Sequence, residues 1–488
     1  MKNMYRLIPL VLTAALFPTV SVCAAAEPSI KIGLIGDSTV AEQSGWGPAF
    51  ASRFNEQAEI INYAKNGATL EALSGKLDAL VELKPDYVLI QFGHNDQKRY
   101  DTAVYSDHLR SYVARIRKAG GKAVIVSSVT RRSFDVQGKI VSNMVKNEKY
   151  SYQANLTAYA NAAEAVAGEL ALPFIDLHRT SIAHHNKIGR EESMSYNFKE
   201  GDKTHFNRKG AEAITNLILK EIETAVPKIS AWLKSEEELV AARSRAAFEV
   251  VDSVEWKGVF FDSFTKDWEK QWTLDGEVGT AKNTPEGIEL TAGPEFRNDA
   301  HHMVLWTRKS FEGDVRIDYE VVRLDSSEEG VNILYIQATG GGEGPYKKDI
   351  SAWSDLRRVP AMKTYFNNMQ TYHISYAVPG DRDYIRARRY MPNRSGLKGT
   401  ALAPDYFRNG LFATGVPHKL TVIKQDRDIF MRVRNAEQTR HYHWHNDKLP
   451  PIEEGRIGLR LMFTRASRIK DFRVSVPLPN PTQKTHDE

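Results

Sequence analysis

Between residues 30 and 225 two textures alternate along the chain. Short apolar runs at Lys31–Gly36, Glu59–Tyr63, Tyr87–Phe92, Lys122–Ser127 and Phe174–Leu177 predict strands buried on both faces. Several open just after turn signals such as Pro85-Asp86 and Gly120-Gly121. Amphipathic stretches between and after them, Leu70–Leu83, Val104–Ala119, Tyr152–Ala171 and Arg208–Ala225, predict helices. Such alternation specifies an α/β fold with a doubly wound parallel sheet, which binds ligands beyond the carboxyl ends of its strands. From about residue 255 the period changes to two, as in Val315–Val322, Val331–Ile336, Thr371–Tyr376, Tyr384–Tyr390, Lys419–Lys424 and Ile429–Val433. Many short strands separated by Gly and Pro turns predict an all-β jelly-roll sandwich. The expected layout is an α/β domain over 27–228, a helical connector over 229–252, the sandwich over 253–478 and a tail over 479–488.

The long apolar run, Leu7–Val22, follows Lys2 and Arg6 and precedes Ala24-Ala25-Ala26. Its length and flanks fit a signal peptide over 1–26 and are wrong for a membrane span. Export to the periplasm or the medium is therefore expected. Val22 is bulkier than the small residue that usually precedes a lipidated cysteine, which argues against an anchor at Cys23. Cleavage removes that cysteine, the only one in 488 residues, and with it disulfides and thiolate metal sites. Losing Lys2 and Arg6 leaves 64 basic against 61 acidic side chains, with no clustered basic face to suggest nucleic acid as a partner.

Candidate chemistry begins where the first strand ends, at Gly36-Asp37-Ser38-Thr39. A serine just past a strand, behind a glycine that lets the backbone turn, is well placed to act as a nucleophile. It needs a base and a stabilised oxyanion before it attacks an acyl carbon. Asp202-Lys203-Thr204-His205 places a carboxylate and an imidazole three residues apart before a helix, so that Asp202 can orient His205 as the base. One backbone N–H and one amide N–H₂ suffice as oxyanion donors. Gly67 in Asn66-Gly67-Ala68 and Asn95 in Gly93-His94-Asn95-Asp96 fall at suitable strand ends. Singly, each motif is more often a turn or a helix cap; their order along the chain is what carries the reading. His184 and His185 are expected in an exposed loop.

Together the four blocks resemble the SGNH (GDSL-like) hydrolases, and within them the rhamnogalacturonan acetylesterase-like branch. The resemblance spans about 195 residues. It implies Ser38 as nucleophile, His205 as general base and then acid, and Asp202 as its orienting carboxylate. It further implies an oxyanion hole from the Ser38 and Gly67 backbone N–H groups and the Asn95 side chain, with no metal or organic cofactor. The implied function is a secreted carbohydrate esterase removing O-acetyl groups from an acidic polysaccharide.

The β-domain is similar to concanavalin-like jelly rolls in strand texture and domain pairing, without a signature motif, and a fold does not give a function. His373 and Ser375 alternate against Tyr372, Ile374 and Tyr376, while Arg386, Arg388 and Tyr390 share one strand face. With Asn332 and with His441, His443 and His445 these residues suggest a groove for an anionic sugar chain. Two alternatives for it are a polysaccharide lyase acting on a uronate chain by β-elimination and a binding module without catalysis.

Overall fold

A computed structural model describes residues 30–142, 145–147, 152–378, 380, 383–392 and 394–478. The signal peptide, Cys23 and the tail expected over 479–488 lie outside the described residues. The chain divides into two compact units at Ser235/Glu236.

The first unit is built on strands β1 (Ile30–Gly36), β2 (Ala58–Asn62), β3 (Tyr87–Gln91) and β4 (Lys122–Val126). A two-stranded hairpin, β5 (Val145–Asn147) with β6 (Tyr152–Ala154), precedes the last sheet strand, β7 (Phe174–Ile175). The sheet order is β2-β1-β3-β4-β7, parallel throughout. Successive residues of β1 feed opposite cores, Ile32 and Leu34 into one and Ile35 into the other, which is why its run is nearly continuous in apolar residues. Helices α1 (Gly47–Ala51), α2 (Ser74–Glu82), α3 (Thr102–Lys118), α4 (Leu156–Glu169), α5 (Leu177–Met194) and α6 (Arg208–Ala225) connect or follow the strands. Asp101, Asn155, Asp176 and Asn207 cap the four long ones, each side chain accepting a first-turn N–H. A short turn of helix, α7 (Pro227–Ser230), buries Ile229 in the same core.

The second unit starts with α8 (Glu236–Asp252). Strands β8 (Trp256–Asp262), β9 (Trp272–Asp275), β10 (Thr280–Thr284), β11 (Gly287–Thr291), β12 (Met303–Glu312), β13 (Val315–Arg323) and β14 (Asn332–Gly340) follow. After α9 (Met362–Asn368) come β15 (Met369–Tyr376), β16 (Tyr384–Tyr390), β17 (Ala401–Phe407) and β18 (Pro417–Gln425). The chain closes with β19 (Asp428–Arg434), β20 (Thr439–His445), β21 (Glu454–Leu461) and β22 (Ala466–Pro477). They form an eight-stranded sheet, β10-β11-β22-β13-β18-β19-β20 with β8 beside β22, and a seven-stranded sheet, β17-β16-β15-β14-β21-β12-β9. Inward residues of both, among them Tyr372, Ile374, Val422 and Val433, make one core between the sheets.

The outer faces are partly covered. On the eight-stranded sheet, Phe248 of α8 packs with Ile423 and Phe430, and Asp252 pairs with Arg316 and Arg432. Thus the stretch read from sequence as a connector over 229–252 is not a separate piece: Ile229 belongs to the first core and α8 to the second unit. On the seven-stranded sheet, Trp353 and α9's Tyr365 join Trp306, Tyr335 and Tyr390 in a second hydrophobic layer.

Candidate active site

Chain order reverses at β1, whose neighbours β2 and β3 lie on either side, and the ends of these strands bring the first unit's candidate residues together. Gly36 closes β1. A Cβ there would stand 2.5 Å from Val40 Cγ2 and 2.6 Å from the Gln91 carbonyl of β3, so only glycine lets the strand turn at this point. Gly36→Ala is expected to cost about 1–3 kcal/mol by overpacking, read as a lower denaturant midpoint with an unchanged slope.

The next residue, Asp37, is fully buried and locks the turn. Its Oδ1 accepts from Thr39 N at 2.9 Å and Thr39 Oγ1 at 2.7 Å, and Gln91 Nε2 donates to Thr39 Oγ1 at 2.6 Å. His94 Nδ1 stands 3.5 Å from Asp37 Oδ2. Burial opposes the Asp37 charge, but His94 and Thr39 outweigh it and hold the carboxyl below its usual range. Burial lowers the His94 pKa, against the pull of Asp37.

Ser38, 6% exposed, meets a base from the far end of the unit. Its Oγ lies 2.8 Å from His205 Nε2, and His205 Nδ1 lies 2.9 Å from Asp202 Oδ2. An ionised carboxylate only accepts, so Nδ1 carries the proton and the Nε2 lone pair faces the hydroxyl. Asp202 Oδ1 accepts from Thr204 N and His205 N, both at 3.0 Å. Burial raises the Asp202 pKa, and these two N–H groups together with the imidazole more than reverse that, leaving it below the ordinary value. Such a chain can draw a proton from the hydroxyl as it attacks an electrophile.

The loop carrying Asp202 and His205 hangs on Arg132, a residue whose role sequence reasoning missed. Arg132 is fully buried, its guanidinium 4.8 Å from the centre of the Phe206 ring. It donates to the carbonyls of Asp202 at 3.0 Å and His205 at 2.6 Å, and to Asn197 Oδ1 at 2.8 Å. Arg132→Met would leave three partly buried acceptors without this donor. A loss of about 10²-fold in kcat/KM, the scale of an ångström misplacement, is expected in steady-state kinetics.

Asn95 and Gly67 gather at the same strand ends. Asn95 Nδ2 donates to Ala68 O at 3.0 Å, and Lys65 N donates to Gly36 O at 3.0 Å, tying the Lys65–Ala68 turn to both neighbours. Gly67 has φ +76°, the left-handed conformation glycine adopts freely. Asp96 is buried below, accepting from Leu70 N at 3.0 Å, and its burial pushes its pKa up to about 7. Ser38, His94, Asn95, Lys98, Arg131 and His205 line a cavity of about 350 Å³. Asp202 stands behind His205, and Gly67 is outside the lining.

In the second unit the expected groove does not assemble. Asn332 is buried on the inner side, donating to Ser467 Oγ of the opposite sheet at 2.8 Å. His443 belongs to the eight-stranded sheet, stacked 4.5 Å from Phe430 and bonded to Asp428 at 2.7 Å. The other four do share the outer face of the seven-stranded sheet, with His373 opposite Arg388 and Ser375 opposite Arg386. Yet His373 and Tyr390 are buried and bonded to each other, with Phe366 of α9 against the Tyr390 ring. Arg386 and Arg388 remain half-exposed, the first paired with Asp405 at 2.9 Å. His184 and His185, expected in a loop, lie on α5, where His185 is buried and 3.0 Å from Ser193 Oγ. Among the described residues no group of His, Cys, Asp or Glu is arranged to hold a metal, and no helix is long and apolar enough to cross a membrane.

The sequence of this unit is similar to known proteins. Residues 34–213 match the GDSL-like lipase/acylhydrolase family. The chain is 35% identical over 220 residues to rhamnogalacturonan acetylesterase RhgT of Bacillus subtilis, covering 40% of this chain and 90% of that protein. It is 30% identical over 224 residues to the probable rhamnogalacturonan acetylesterase YesY of the same organism, covering 42% and 97%. Rhamnogalacturonan acetylesterase of Emericella nidulans is 26% identical over 221 residues, covering 39% and 84%. The protein belongs to the GDSL-like lipase/acylhydrolase family and is an enzyme of that class.

Proposed function

We propose that this enzyme is an exported serine esterase that removes O-acetyl groups from an acidic, rhamnogalacturonan-type polysaccharide. The observation that carries the proposal is the unbroken Ser38–His205–Asp202 chain on an open cavity. The names of the relatives support the sugar and the acetyl group removed from it. Ser38 Oγ attacks the acetyl carbonyl while His205 Nε2 takes its proton. The tetrahedral oxyanion is held by the Ser38 and Gly67 N–H groups and by Asn95 Nδ2. His205 then gives the proton to the departing sugar oxygen, and water activated by the same nitrogen releases acetate from Ser38.

One hydrogen of Asn95 Nδ2 is engaged by the Ala68 carbonyl, which fixes the plane of the amide and leaves the other for the oxyanion. Asn95→Ala is therefore expected to lower kcat by about 10²–10³-fold, with KM moving far less. The test of the whole reading is acetate release from acetylated rhamnogalacturonan and other acetylated polysaccharides, scored beside an aryl acetate. Hydrolysis of the aryl ester without release from any polysaccharide would sink it.

Export rests on the charged, apolar and small-residue segments of residues 1–26. For the second unit we propose polymer binding on the outer face of β16, supported by half-exposed Arg386 and Arg388 with Tyr384 under the Arg386 guanidinium at 3.8 Å. Arg386→Ala with Arg388→Ala in the full chain should reduce retention on acidic polysaccharide; unchanged retention would exclude this face.

A further inference from the structure

The cavity beside Ser38 carries a charge that the acetyl-transfer steps do not use. Its described lining holds two cations, Lys98 and Arg131, and no carboxylate. Each side chain is held by a long hydrogen bond. Lys98 Nζ reaches Asn95 Oδ1 only at 3.4 Å, and Arg131 Nη2 reaches the His94 carbonyl only at 3.4 Å. An ammonium has three N–H donors and a guanidinium five, so most remain for a ligand. The nearby buried carboxylate of Asp37 is outside the lining, its Oδ1 bonded to Thr39 and its Oδ2 3.5 Å from His94 Nδ1. Burial, then repulsion from Arg131, lowers the Lys98 pKa, and burial lowers that of Arg131. Two cations are thus held close together, offset by the charge of Asp37 behind the wall but paired with no carboxylate in the described lining.

We propose that Lys98 and Arg131 form a carboxylate-binding subsite that selects acetyl esters borne by, or next to, a uronic acid residue. The inference rests on the carbohydrate-esterase reading above. Its geometry follows from Asn95: an acyl oxygen at Asn95 Nδ2 lies one amide group away from the atom that Lys98 touches. The guanidinium supplies a two-pronged donor for the carboxylate and the ammonium a point charge beside it. Because that carboxylate is bound alike in the ground and transition states, the subsite acts on KM more than on kcat.

The test compares an acetylated rhamnogalacturonan oligosaccharide with its methyl-esterified, uncharged counterpart. The wild-type enzyme should favour the charged substrate in kcat/KM by roughly 10- to 100-fold, the worth of one or two charged hydrogen bonds. In the double variant Lys98→Gln/Arg131→Gln that ratio should fall towards one, and Arg131→Lys should restore part of it. Because a half-buried arginine can also support the fold, a second measurement needs no variant. KM of the wild type for the charged substrate should rise with added salt, while KM for the ester stays flat. Equal use of both substrates by the wild type, or a preference that survives in the double variant, overturns the subsite and leaves the esterase standing. Hydrolysis of aryl acetate with no acetate from either oligosaccharide overturns the carbohydrate reading and the subsite with it.

Discussion

Ser38→Ala is expected to lower kcat for acetate release by at least about 10⁴-fold, with little change in stability. The two halves of that expectation have separate causes. The hydroxyl supplies the bond-forming electron pair, and no neighbouring group stands in for it. Thr39 Oγ1 is committed to Asp37 and Gln91 inside the turn. Residual turnover comes from the oxyanion donors and from substrate binding, which alanine leaves in place. The hydroxyl meets His205 Nε2 at 2.8 Å, and the bonds holding the turn run through Asp37, Thr39 and Gln91 instead. Thermal unfolding of the variant should therefore superimpose on that of the wild type within a few degrees. Acetate release persisting in Ser38→Ala at a tenth of the wild-type rate would remove Ser38 from the chemistry and place the esterase activity elsewhere in the chain.

The residues at this site were legible in sequence because they sit where two independent patterns meet. Apolar runs mark strands, the blocks of Ser38, Gly67 and Asn95 come after β1, β2 and β3, and that of Asp202 and His205 precedes α6, so position and chemistry agree. Arg132 was not legible. A charged side chain in a polar stretch reads as solvated, and only the fold reveals that it spans three acceptors beneath the loop of Asp202 and His205. Helix α5 was missed for a related reason. Its sequence is polar around His184, and Gly189, at φ 81°, breaks the period before it is complete.

In the sandwich, alternation correctly separated His373 from Tyr372 and Ile374, because side chains on one strand must alternate. The same rule cannot say which sheet a strand joins or what lies over it. Hence Asn332 went to the inner face and His443 to the other sheet, while α9 closed over Tyr390. Parity is a local property, and a groove is a tertiary one.

Asp202→Asn is expected to lower kcat by about 10⁴-fold although it preserves almost every contact. An asparagine Oδ1 still accepts from Thr204 N and His205 N, so the loop keeps its turn. The change falls on the other atom, where an N–H₂ replaces the carboxylate oxygen now 2.9 Å from His205 Nδ1. A donor there forces Nδ1 to accept and moves the ring proton to Nε2, which then points an N–H at Ser38 and cannot take its proton. The stabilisation of a developing imidazolium is lost as well. Stability behaves differently, and its pH dependence has a definite sign. The carboxyl pKa is lower folded than unfolded, so ionised Asp202 contributes stability above the unfolded value of about 3.9, lost as pH falls through the folded value. The wild type should thus be the more stable protein near neutrality, with the gap to Asp202→Asn narrowing below about pH 4. Steady-state kinetics and denaturant titrations at two pH values measure both effects. A variant that kept a tenth of the wild-type kcat would show that His205 is oriented by something other than Asp202.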